Sequence, residues 1–167
     1  FPGRYEVVPP VLAKLVRLIA EGEAMHINIW DAELERLAKR ALEAEGVPMA
    51  GVEFHPFRAY EPWCRDHGPL FVTRPGGDRA IVNWGYNAWG GKYPPFDLDD
   101  AIPVQVADAL GLQLFEPGMV LEGGSIDVNG AGELLTTEAC LLHPNRNPRV
   151  AEGDIEARLR GFLGVEK

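Results

Sequence analysis

A chain of 167 residues with 46% hydrophobic and 25% charged content is long enough for one domain with a real core and has the composition of a soluble globular protein. Its net charge of −9 argues against a nucleic-acid backbone as partner, which needs clustered Lys and Arg, and is compatible with a small cation. No apolar run approaches the roughly 18 to 20 residues of a bilayer span, so the expectation is a cytoplasmic protein with no membrane contact.

In chain order, Val11, Leu12, Leu15, Val16 and Ile19 recur at helical spacing after Pro9-Pro10 and predict a helix over about 9–21. Residues 25–30 alternate as a strand does. Asp31 is placed to cap a second helix carrying Leu34, Leu37, Ala38, Ala41 and Leu42, and Gly46 stands where a left-handed residue would end it. An extended run over 52–57 leads into Trp63-Cys64-Arg65-Asp66-His67-Gly68-Pro69, expected to be a strand-to-strand turn. Residues 70–73 and 80–84, joined by Pro75-Gly76-Gly77-Asp78, predict a hairpin. A long loop rich in Gly, Pro and aromatic residues follows over 85–95, then a helix opened by Asp99, Asp100 and Pro103, closed by Gly111 and succeeded by a short strand over 112–115. The order then restarts with a hairpin over 125–128 and 133–137, a polar loop at 144–148, and a helix with Ile155, Leu159, Phe162 and Leu163 ending at Gly164.

This is an internal repeat of hairpin, loop, helix and strand with a period of about 55 residues. It implies an α/β chain of units near 1–65, 66–118 and 119–167. The opening at Phe1 rather than Met suggests an excised piece, truncated at both ends. Asp66 lies four residues before the first hairpin, and Glu122 in Leu121-Glu122-Gly123-Gly124 lies about as far before the second. Related by a pseudo-rotation, the two acids would be buried and would converge on one centre, which calls for a cationic ligand. A planar carboxylate matches a guanidinium by two parallel charge-assisted hydrogen bonds, and Trp63 offers an indole face. Hydrolysing a guanidinium, whose charge is delocalised, needs a strong nucleophile and a general acid, most simply a thiolate and a histidine. Cys64 and Cys140 are too far apart for metal-ligand spacing and are expected to be free thiols in a reducing compartment.

Four motifs carry a resemblance. The stretch from Trp63 to Pro69, Tyr86-Asn87-Ala88-Trp89-Gly90-Gly91-Lys92-Tyr93, Leu121-Glu122-Gly123-Gly124-Ser125, and Thr136-Thr137-Glu138-Ala139-Cys140-Leu141-Leu142-His143-Pro144-Asn145-Arg146-Asn147-Pro148 together resemble the agmatine deiminase family, also described as bacterial-type peptidylarginine deiminases. Phe1-Pro2-Gly3 also resembles a family position, one preceded there by a further segment. The resemblance implies roughly half of a five-bladed, pseudo-symmetric α/β propeller built of ββαβ-type units, with the active site on its axis. It implies that Asp66 and Glu122 are catalytic, Asp66 gripping the guanidinium nitrogens and Glu122 orienting a catalytic histidine, and that Trp63 and Asp66 bind substrate. It also implies conversion of agmatine to N-carbamoylputrescine and ammonia through an amidino-cysteine, without metal or other cofactor. The family's nucleophilic cysteine and its His-x-Asp pair match nothing in residues 1–167, so the chain alone is expected to be inactive. Cys64 stands two residues from Asp66, but the family places its nucleophile elsewhere.

Other assignments are a peptidylarginine or arginine deiminase, an amidinotransferase, and, from different classes, a hard metal site of Asp66, His67, Glu122 and Asp127 or a non-catalytic guanidinium-binding or assembly module. Half a propeller would leave strand edges uncovered, so self-association is expected.

Overall fold

A computed structural model describes residues 5–167, so the Phe1-Pro2-Gly3 resemblance lies outside the described residues. The chain divides into two compact units, Phe1–Ala59 and Tyr60–Lys167.

In the first unit a 3₁₀ turn, Tyr5–Val7, runs into α1 (Val8–Ile19), which has prolines in its first turn where their missing N–H is harmless. β1 (Met25–Asn28), α2 (Ala32–Ala44) and β2 (Val52–His55) follow as a crossover that makes β1 and β2 parallel, with His26 opposite Glu53. Asp31 caps α2 as expected, accepting from the Leu34 N–H at 2.9 Å, and Gly46 adopts φ 73° just beyond it. Ala13, Leu42 and Val47 form the core of this unit, with Val16, Ile27, Val52 and Phe54 against them.

The second unit begins with α3 (Cys64–His67), a single helical turn where a plain turn was expected. Gly68 must end it: its N–H bonds the Cys64 carbonyl at 2.9 Å, and a Cβ there would collide with that oxygen. β3 (Leu70–Thr73) and β4 (Arg79–Val82) form the expected antiparallel hairpin. The 85–95 loop contains one distorted turn, α4 (Ala88–Gly91). α5 (Asp97–Asp100) and α6 (Ile102–Leu110) then return the chain to β5 (Gln113–Phe115), which lies parallel to β4. β6 (Ile126–Val128) and β7 (Leu134–Thr136) are the second hairpin, followed by α7 (Glu138–Leu141) and α8 (Glu152–Leu163). Both hairpins feed one core, in which Val82 and Trp84 meet Leu121, Ile126, Leu141, Ile155 and Leu159.

The last residues of the chain are paired too. Lys167 donates its N–H to Gly132 O at 3.1 Å, and its carbonyl accepts from Leu134 N–H at 2.9 Å. That is the bond pattern of a parallel neighbour to β7, as β5 is to β4.

Candidate active site

Asp66 is joined to the turn that follows Glu122, 56 positions further along the chain, by a backbone donor of that turn. The Gly124 N–H donates to Asp66 Oδ1 at 3.1 Å. Neither glycine after Glu122 tolerates a side chain: a Cβ on Gly123 would strike the Arg65 carbonyl, and one on Gly124 would strike Asp66 Oδ1. The Gly123-Gly124 pair is therefore what lets the 3₁₀ turn Gly123–Ser125 seat against α3.

Burial differs between the two acids. Glu122 is 2% exposed, as expected, but Asp66 is only half-buried.

Glu122 is held by a residue that sequence reasoning passed over. Arg146 Nε donates to Glu122 Oε1 at 2.9 Å, and both side chains are nearly buried. Glu122 Oε2 is buried too, and it has no partner among the described residues. Arg146 also donates from Nη1 to Asn145 Oδ1 at 3.2 Å. Asn147, 6% exposed, fixes this loop by a three-way clip: its Oδ1 accepts from Val120 N–H at 2.9 Å, and its Nδ2 donates to Val120 O at 2.9 Å and Leu141 O at 3.0 Å.

The 85–95 loop closes against the same segment. Asn87 Nδ2 donates to Asn145 O at 2.9 Å, and Asn145 Nδ2 to Gly90 O at 3.2 Å. Gly90, at φ 84°, has no room for a Cβ beside the Asn145 side chain. Ala88 (φ 50°) and Trp89 (φ 56°) are left-handed although neither is glycine, a conformation that costs about 1–3 kcal/mol per residue and persists only where surrounding contacts hold it. This aims Trp89 at Tyr86 and Tyr93, with ring centroids 5.5 and 5.8 Å apart, both edge-on.

At the end of α3, His67 is buried and its Nε2 bonds the Glu61 carbonyl at 3.1 Å, 3.9 Å from Asp99 Oδ1. Asp99 is fully buried, and the same Oδ1 accepts from the Tyr60 and Glu61 N–H groups, each at 3.0 Å. The carboxylate thus pins the bend that delivers α3. Tyr86 packs edge-on to His67 at 5.7 Å. Burial above all, then the negative charges of Asp99, Asp66, Glu61 and Glu122, holds its phenol well above the usual range.

Trp63 is 56% exposed and lines a cleft of about 350 Å³ with Glu61, Trp89, Lys92 and Tyr93. A larger cavity of about 650 Å³ is lined by Asn83, Asp100, Glu116, Arg146, Asn147 and their neighbours, without Asp66 or Trp63. The smaller cleft is the one that combines the expected aromatic residue with further aromatic faces. Cys64 is exposed at the start of α3 and Cys140 half-buried, both as free thiols. The four residues considered as a hard metal site do not converge. His67 is directed at Glu61, and Asp127 is exposed on β6 with its Oδ1 accepting from the Val128 N–H.

As a whole, the chain is also similar to known proteins. The family model for Porphyromonas-type peptidyl-arginine deiminase matches residues 1–167. An agmatine deiminase of Pseudomonas fluorescens is 37% identical over 160 residues, covering 93% of this chain and 42% of the relative. That of Pseudomonas putida is 36% identical over 157 residues, covering 91% and 41%. The solved agmatine deiminase of Enterococcus faecalis superposes with a TM-score of 0.87 at 31% identity, over 97% of this chain and 44% of that one. The chain thus spans less than half the length of these relatives. With the family model matching residues 1–167 and relatives 37% and 36% identical over nine-tenths of its length, the chain is a member of the Porphyromonas-type peptidyl-arginine deiminase family.

Proposed function

We propose that this chain is part of an agmatine deiminase-type hydrolase, which converts agmatine to N-carbamoylputrescine and ammonia in the cytoplasm. The observation that carries the reading is the contact of Asp66 with the Glu122 turn. Half-buried Asp66 bonds the turn that follows buried Glu122, whose Oε2 has no partner among the described residues, and both carboxylates help raise the Tyr86 phenol. Asp66 takes two guanidinium nitrogens, Trp63 covers the cation with its indole face, and Glu122 Oε2 accepts from the catalytic histidine.

In this reading a cysteine thiolate attacks the guanidinium carbon and the histidine protonates the departing ammonia. Water then adds to the amidino-thioether, and its collapse returns the thiolate and leaves the ureido product. The chain forms a single incomplete domain, with units near 1–65, 66–118 and 119–167 contributing about half of a five-bladed propeller. Neither the nucleophile nor the catalytic histidine is supplied by residues 1–167, so the chain alone does not turn over. Arginine or peptidyl-arginine is the second substrate reading, favoured by the description of the matching family.

The test is ammonia release from agmatine and from arginine by the 167-residue chain, by the open reading frame extended past Lys167, and by Asp66→Asn in the extended form. Expected are turnover of agmatine by the extended form alone and a loss of at least about 100-fold in kcat/KM for Asp66→Asn, since one half of the clamp is gone. Turnover by the short chain would make Cys64 or Cys140 the nucleophile and overturn the assignment of roles. Near-normal turnover by Asp66→Asn would overturn the clamp.

A further inference from the structure

We propose that His26, Glu53 and His55 form a binding site for a divalent transition-metal ion, with Zn²⁺ as the ion that fits best. The site lies within the first unit and takes no part in the guanidine chemistry.

It is built by the parallel pairing of β1 and β2. In their register His26 stands opposite Glu53, and Asn28 opposite His55. Side chains alternate across a strand, so Ile27, Val52 and Phe54 face the core of the unit. The same alternation puts His26, Glu53 and His55 together on the opposite face. Strand register therefore sets the convergence, and it needs no loop to fold around the ion.

The distances have the scale of a coordination polyhedron. His26 Nδ1 is 2.9 Å from His55 Nε2, and Glu53 Oε2 is 3.6 Å from the first nitrogen and 3.9 Å from the second. Ligands of a tetrahedral zinc are about 3.3 Å apart when each bond is about 2.0–2.2 Å, a value these three edges bracket. Where the two rings now meet, one nitrogen donates its proton to the other's lone pair; with that proton carried on the far nitrogen of its own ring, both facing lone pairs are free to bind a metal ion. The His55 ring is further confined by Phe57, whose centroid is 5.1 Å away at 18°. His26 and Glu53 are open to solvent, so an ion can enter and keep water in its remaining positions. Two imidazoles and one carboxylate select zinc, nickel or copper over calcium or magnesium, which demand more oxygen ligands.

The test is calorimetric titration of ZnCl₂ into the 167-residue chain carrying Cys64→Ser and Cys140→Ser, which removes the competing thiols. Histidine proton resonances are followed in parallel. Expected are one ion per chain with Kd below about 10 µM, shifts of the His26 and His55 signals ahead of those of His67 and His143, and a rise in Tm with zinc but not with MgCl₂. Glu53→Gln, an isosteric change at an exposed position, should weaken binding about 10-fold, and His26→Gln with His55→Gln at least about 100-fold. Unchanged affinity in the double variant, or no saturable uptake up to about 1 mM zinc, would overturn the site and leave an ordinary histidine pair.

Discussion

Arg146 and Glu122 meet at 2.9 Å with little solvent around either, and in such a place loss of one partner costs more than the pair contributes. Arg146→Met leaves the Glu122 carboxylate buried and uncompensated. Urea unfolding should show a loss of about 3–5 kcal/mol, largely recovered when Glu122→Gln is added. A loss below about 1 kcal/mol would mean that water reaches Glu122. Tyr86 makes a second prediction at this scale. Its phenol is raised in the folded chain, by burial first and by Asp99, Asp66, Glu61 and Glu122 after that. Above about pH 10 the unfolded phenol loses its proton while the folded one keeps it. The unfolded state then binds fewer protons, and stability falls as pH rises beyond 10. Tyr86→Phe should flatten that alkaline decline and leave stability near pH 7 little changed, because the Tyr86 hydroxyl has no hydrogen-bond partner among the described residues. A decline unaltered by the substitution would place its origin elsewhere.

Among the elements, those with local signals were legible. Asp31 as a cap, Gly46, Gly111 and Gly164 as helix ends, and both hairpins stand where side-chain chemistry and spacing placed them. The turn at Asp66 was mistaken in kind. Four residues are too few for periodicity to reveal a helical turn, and what stabilises α3 is Asp99, more than thirty positions away, holding the Tyr60 and Glu61 N–H groups. Arg146 and Asn147 were visible as motif residues, yet nothing in a polar Pro-Asn loop shows which side chains turn inward. Asn147 is the more telling of the two. Its amide replaces a missing strand neighbour for Val120 and satisfies Leu141 as well. Asn147→Ala should cost about 2–4 kcal/mol in chemical denaturation by leaving buried backbone groups unpaired. Asn147→Asp should recover only the bond from Val120 N–H. An alanine variant within 0.5 kcal/mol of the parent would show that solvent replaces the clip.

For the whole molecule, α1 is apolar on two sides. Ala13 and Val16 meet the core of the first unit, while Val11, Leu12, Leu15 and Leu18 stand exposed. Leu135 on β7 is likewise 75% exposed. Surfaces of this kind associate in water. Light scattering of the 167-residue chain should give a mass that rises with concentration above the 18.4 kDa monomer, and Leu12→Glu with Leu15→Glu should lower it. A monodisperse monomer at every concentration would show that these side chains find cover within one chain.

By itself the sequence determined the order of helices and strands and the family resemblance. Each of these is written in spacing and residue type along a short stretch. Only the tertiary structure decided that Asp66 touches the Glu122 turn through Gly124, that Arg146 takes one oxygen of Glu122, and that His26 meets His55. These pairings depend on register, burial and close backbone approach between segments 24 to 58 positions apart. No local pattern carries that information, because the free energy that selects it arises only when distant surfaces exclude water together.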